Sequence, residues 1–145
     1  MATPTNNTAV KVEPYLFFEG TCDEAIQFYQ RTLGATVQGI MRFKDSPEPS
    51  MCPPGMNDKV MHANIKIGET TVMASDGRCS GQRSFGGFAL SITAPTEAQA
   101  EQWFAALSEG GQVQMPMTKT FFSPRFGMVA DRFGVSWMVL VTPTM

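Results

Sequence analysis

Apolar and polar positions along the chain follow two rhythms, and the rhythm changes in the same order twice. Residues 12–18 (VEPYLFF) are dense in aromatic and aliphatic side chains and predict a strand. Thr21 and Asp23 then offer N-cap oxygens to a helix over about residues 23–33. In it Ile26, Phe28, Tyr29 and Leu33 recur at near-helical spacing, and Gly34 stands at the C-cap. A strand is expected at about 35–43. Residues 44–58 hold four prolines and a glycine and must be a loop. MHANIKI and TTVMAS follow, two alternating runs joined by Gly68-Glu69, which predicts a tight hairpin.

The second half repeats this order. FALSIT (88–93) is a strand, Pro95 and Thr96 begin a helix running to about Ser108, and Gly110-Gly111 ends it. QVQMPM (112–117) is the next strand. Two more are expected near 125–131 and 135–142, with Asp131-Arg132-Phe133-Gly134 as their turn. The halves also match in sequence: Ala25 to Tyr29 corresponds to Ala100 to Phe104, and Gly34 and Val37 to Gly110 and Val113. Gly68 matches Gly134 at a shorter offset, so the first half carries about ten extra residues, which fit the Pro-rich loop. The expectation is a single α+β domain over 1–145, with module one at about 12–76 and module two at about 86–142. Each module is βαβββ.

Strand parity separates the faces. Across the Gly68-Glu69 turn Ile67 opposes Thr70, Ile65 opposes Val72, Asn64 opposes Met73 and His62 opposes Ser75, and opposed residues share a face. One face therefore carries Ile65, Ile67 and Val72, a floor for a helix. The other carries His62, Asn64, Lys66, Thr71, Met73 and Ser75. Phe88, Leu90 and Ile92 alternate with Ala89, Ser91 and Thr93 in the same way. If the mixed sides of the two sheets curve towards each other they enclose a cup, the usual shape of a small-ligand site.

Composition narrows the classes of function. The chain has 145 residues, 43% hydrophobic and 17% charged, with net charge -2, which fits one globular domain with a real core. No basic stripe supports nucleic-acid binding. No apolar run approaches the roughly 18 residues of a membrane span, and residues 1–9 are polar. A cytoplasmic location is expected. Cys22, Cys52 and Cys79 form an odd set without C-x-x-C spacing, so reduced thiols are expected.

At this level of detail the chain resembles the vicinal oxygen chelate superfamily, which includes glyoxalase I, ring-cleaving dioxygenases and bleomycin-resistance proteins, and within it the PhnB-like branch. The resemblance rests on Pro14-Tyr15-Leu16-Phe17-Phe18 with Gly20, on Glu24-Ala25-Ile26 through Phe28-Tyr29, and on Leu33-Gly34-Ala35. It continues through Met61-His62-Ala63 and Met73-Ala74-Ser75-Asp76 to the closing runs Arg125 to Val129 and Asp131 to Met138, covering about residues 12–141. It implies paired βαβββ modules forming cupped, mostly antiparallel sheets with helices on the outer face, and often a homodimer. The demethylubiquinone methyltransferase label sometimes attached to this branch has no support in the residues. No glycine-rich strand-to-helix turn of the kind that binds S-adenosylmethionine is present.

The resemblance also implies a site that this chain alters. Metal-dependent members place His and Glu ligands on four strands facing the cup, where this chain has Pro14, Met73, Gly87 and Met138 at or near those positions. None is a usual donor for a divalent cation. His62, the one histidine, cannot build a ligand triad alone. The expected function is metal-free and cofactor-free binding of a small, partly apolar molecule. The wall would be His62, Asn64, Met73 and Met138, with Phe122 and with Arg125 for an anionic group. The competing reading is an enzyme acting on a small metabolite with His62 as base, or through a metal site not recognised in the sequence. Trp137 falls opposite Met138 in parity and belongs in the core.

Overall fold

The structure is a computed structural model, and it describes residues 9–46 and 54–142. Two four-stranded sheets are formed, one per half, each ordered first-fourth-third-second strand. The first sheet contains β1 (Tyr15–Phe17), β2 (Thr36–Arg42), β3 (Val60–Ile67) and β4 (Thr70–Ser75), with helix α1 (Cys22–Leu33) following β1. The second contains β5 (Leu90–Ala94), β6 (Gln112–Thr118), β7 (Phe126–Ala130) and β8 (Ser136–Val141), with α2 (Glu97–Ser108) following β5. In each sheet the first strand pairs parallel with the last and the remaining pairs are antiparallel. These are the two βαβββ modules expected from the sequence.

Local chemistry explains most boundaries. Gly34 takes a left-handed φ of 70° and its N–H bonds the Tyr29 carbonyl, closing α1 where the sequence placed its end. Gly68, at φ 59°, lets the chain reverse in two residues, so Ile67 pairs Thr70 and Asn64 pairs Met73 as parity required. Strand β1 is shorter than the apolar run that announced it, because residues 9–13 join no strand ladder among the described residues and leave Val10 and Val12 exposed. Part of the expected loop 44–58 is instead a short 3₁₀ helix, Phe43–Asp45. Residues 47–53 of that loop, Cys52 among them, lie outside the described residues.

The start of α1 corrects the sequence expectation. Thr21 makes no side-chain cap. Its hydroxyl bonds the Phe18 carbonyl, and Asp23 lies inside the helix, paired with Arg42. The acceptor is a residue far along the chain: Asp76, fully buried, takes the N–H groups of Gly20 (2.7 Å), Cys22 (2.8 Å) and Val60 (2.8 Å). A carboxylate is favoured at a helix N-terminus by the orphan donors and the dipole. Helix α2, by contrast, is capped locally by Thr96, whose Oγ1 accepts from the Gln99 N–H.

A single core joins the halves. Phe18, Phe28 and Tyr29 of the first module pack against Phe85, Phe133 and Trp137, with ring centroids 5.4–6.4 Å apart. At its centre Asp131 is 3% exposed and accepts four hydrogen bonds. They come from Tyr29 Oη (2.5 Å), Trp137 Nε1 (2.9 Å) and the N–H groups of Phe133 and Val135. Trp137 is thus a core residue, as its parity indicated. The cysteines divide: Cys22 is buried and free, whereas Cys79 is disulfide-bonded, which corrects the expectation of reduced thiols. No described helix is long and apolar enough to cross a membrane.

Candidate functional site

The pleat of the first sheet puts Leu16, Ala63, Ile65, Val72 and Ala74 under α1 and turns the intervening residues to the opposite, open face. Tyr15 and Met73 are partners in the parallel ladder, Asn64 and Met73 in the antiparallel one, and Met41 and His62 across β2 and β3. The open face thereby gathers His62, Asn64 and Met73, as expected. It also gathers three residues not singled out from the sequence: Tyr15, Phe17 and Met41, which are 38%, 47% and 43% exposed. The signal was there, since Leu16 and Phe18 face the core and alternation sends Tyr15 and Phe17 the other way.

These residues form a definite arrangement. The Tyr15 and Phe17 rings stack with centroids 4.8 Å apart and planes at 12°. Tyr15 Oη lies 2.8 Å from His62 Nδ1, and the imidazole meets the Tyr15 ring edge-on at 5.5 Å. Burial, followed by the charge at Cys22, raises the Tyr15 pKa, so the phenol keeps its proton at neutral pH. The imidazole makes no other hydrogen bond among the described residues. The face therefore offers two stacked rings, two thioethers and a hydrogen-bonded Tyr15–His62 pair. That combination suits a ligand with a flat apolar part and one polar group.

The other predicted residues sit elsewhere. Met138 pairs with Ser91 and with Met128, and Met128 pairs with Met115, giving a methionine row on the open face of the second sheet. Phe122 joins that row through Phe126, at 5.1 Å between ring centroids. Its segment is pinned by Ser123, whose buried Oγ lies 2.7 Å from both the Arg125 and the Val141 carbonyl oxygens and accepts from the Val141 N–H. Arg125 is paired with Glu101 of α2, so the guanidinium proposed for an anionic ligand already holds a carboxylate. No hydrogen bond or ring contact joins the His62 group to the Met138 group among the described residues.

The donor set does not fit a divalent metal. Tyr15, one residue from Pro14, is engaged with His62, and Met73 and Met138 present thioethers. Among the described residues no three His, Cys, Asp or Glu side chains converge as a metal site requires.

Comparison with known proteins bears on the family and the fold. Residues 10–140 match the family model described as 3-demethylubiquinone-9 3-methyltransferase. Protein YjdN of Escherichia coli K12 is 37% identical over 138 residues, covering 90% of this chain and 94% of its own. The crystal structure of PA1353 from Pseudomonas aeruginosa has a TM-score of 0.81 at 41% identity, covering 92% of this chain and 98% of that one. A PhnB protein from Bacillus cereus has a TM-score of 0.77 at 26% identity, covering 92% and 100%.

Proposed function

Because the chain belongs to the 3-demethylubiquinone-9 3-methyltransferase family, the PhnB-like branch of the vicinal oxygen chelate superfamily, we propose that it binds a small, partly apolar molecule. Binding is by the open face of the first sheet, without a metal centre. The stacked Tyr15–Phe17 pair beside the Tyr15–His62 hydrogen bond carries this reading. Two large exposed rings on a sheet face cost solvation unless something covers them, and a polar atom among them fixes the orientation of what does. Asn64 and Met73 flank the pair. Met138 and Phe122 form the second wall.

The working unit in this reading is a homodimer, in which a second copy supplies further wall to the open faces. Exposed Phe121, Phe122 and Met115 on the second module support it. Its location in this reading is the cytoplasm, where a reducing environment would keep Cys79 as a thiol. Thiol alkylation in intact cells tests that placement, and an unmodified Cys79 would move the protein to an oxidising compartment.

A thermal-shift screen of aromatic metabolites against the purified protein tests the function. Saturable stabilisation by one ligand is expected, with Tyr15→Ala and His62→Ala each weakening it at least about tenfold, or roughly 1.4 kcal/mol. Stoichiometric metal in the purified protein, or binding untouched by both substitutions, refutes the reading. Loss of turnover of an identified substrate in His62→Ala, with binding intact, would replace it by the enzyme.

A further inference from the structure

A cleft of about 470 Å³ lies between the modules, on the side of the sheets opposite to His62. The duplication explains why it is there. In the second module the β7–β8 turn is long enough to carry Phe133, which inserts against Phe18, Phe28 and Tyr29 of the first. The matching turn of the first module is only Gly68-Glu69 and has no apolar side chain to send the other way. Space is left between Ile67 and Val72 on one side and Leu90, Ile92 and Trp103 on the other. The pseudo-symmetric position is filled in one half and open in the other.

We propose that this inter-module cleft is a second binding site, taking a small amphiphile with an apolar body and a cationic end. Its volume is within the range of small-molecule sites, roughly 300–1,000 Å³. Three observations set the chemistry of the occupant. The walls are aliphatic and indole. Strand β5 is the edge of its sheet, so half of its backbone N–H and C=O groups face away from any ladder partner among the described residues, and Ala89 to Thr93 run along the cleft. Glu69 is the one charged residue of the lining, so the field at the mouth favours a cation and disfavours a carboxylate or phosphate.

Both tryptophans of the chain, Trp103 and Trp137, line the cleft, so the site reports on itself. The experiment titrates the full-length protein with 4-phenylbutylammonium and, separately, 4-phenylbutyrate, following tryptophan emission excited at a wavelength the probes do not absorb. A saturable blue shift with the ammonium is expected, with at least about fivefold weaker binding of the carboxylate. Glu69→Gln, in an exposed turn, should abolish that preference, and Ile92→Phe, which fills the cleft, should abolish the shift. Tyr15→Ala on the opposite face should change neither, which separates this site from the one proposed above. Equal binding of the two probes overturns the proposal. So does an unchanged preference in Glu69→Gln, or loss of the shift in Tyr15→Ala but not in Ile92→Phe. The absence of any shift, as when residues 9–13 or a second copy already fill the cleft, overturns it too.

Discussion

Replacing Tyr29 by phenylalanine removes one oxygen from the junction of the two modules and leaves the ring in place. The ring keeps its contacts with Phe18 at 6.2 Å, Phe28 at 5.6 Å and Trp137 at 5.7 Å. What is lost is the 2.5 Å hydrogen bond to Asp131, which spans 102 residues of sequence. Asp131 retains Trp137 Nε1 and two backbone N–H groups, but at 3% exposure it has little access to replacement water. A hydrogen bond to a charged acceptor contributes about 1.5–3 kcal/mol net, so a destabilisation of about 2 kcal/mol is expected. For a domain of this size that lowers Tm by about 4–8 °C. Urea unfolding followed by tryptophan emission should show a lower midpoint with an unchanged slope, because no additional surface is exposed. The pair Tyr29→Phe and Trp137→Phe should be non-additive by more than about 0.5 kcal/mol, since both side chains donate to the same carboxylate. A single-mutant loss below about 0.5 kcal/mol, or strict additivity, would show that Asp131 is not the shared anchor of the junction.

Other outcomes follow from the same structure. Asp76→Ala orphans the N–H groups of Gly20, Cys22 and Val60 and should cost about 3 kcal/mol or more, read by thermal unfolding. At Gly111 an added Cβ would overlap the Ala130 carbonyl oxygen, so Gly111→Ala should leave little folded protein. Gly39→Ala, with open space around it, should change Tm by no more than about 2 °C. Burial raises the pKa of Tyr29 and of the Cys22 thiol, with the charges of Asp131 and Asp76 as the next causes. Both groups stay neutral in the folded state while the unfolded chain ionises. These two groups therefore add no pH dependence below the ordinary thiol value near 9, and stability should fall as pH rises beyond it, measured by urea midpoints at stepped pH. A midpoint that rises above pH 10 would contradict this. For the same reason Cys22 should react with a thiol reagent at pH 8 only at the rate of global unfolding.

Much of the fold was legible because its determinants are local. The two-residue reach of Gly68-Glu69, the left-handed Gly34 and the change of period from two to 3.6 are properties of neighbouring residues, and they set strand register and helix ends. The face assignment of His62, Asn64 and Met73 followed from parity alone. Tyr15 and Phe17 obeyed the same parity but were counted with the apolar run that announced β1, and so were missed.

What only the tertiary structure decided depends on partners distant in sequence. The α1 N-terminus is held by Asp76, 54 residues beyond Cys22, and no local cap rule points there. Asp131 gathers Tyr29 and Trp137 from different modules. Arg125 meets Glu101 because α2 packs against β7, which Arg125 immediately precedes, and this removes it from the list of free cations. The cleft arises from a difference in length between two turns that the repeat makes equivalent. The sequence determined the modules and their faces, since backbone geometry acts over a few residues. The fold decided which polar groups meet, because desolvation makes a buried carboxylate collect whatever donors the packing brings within reach.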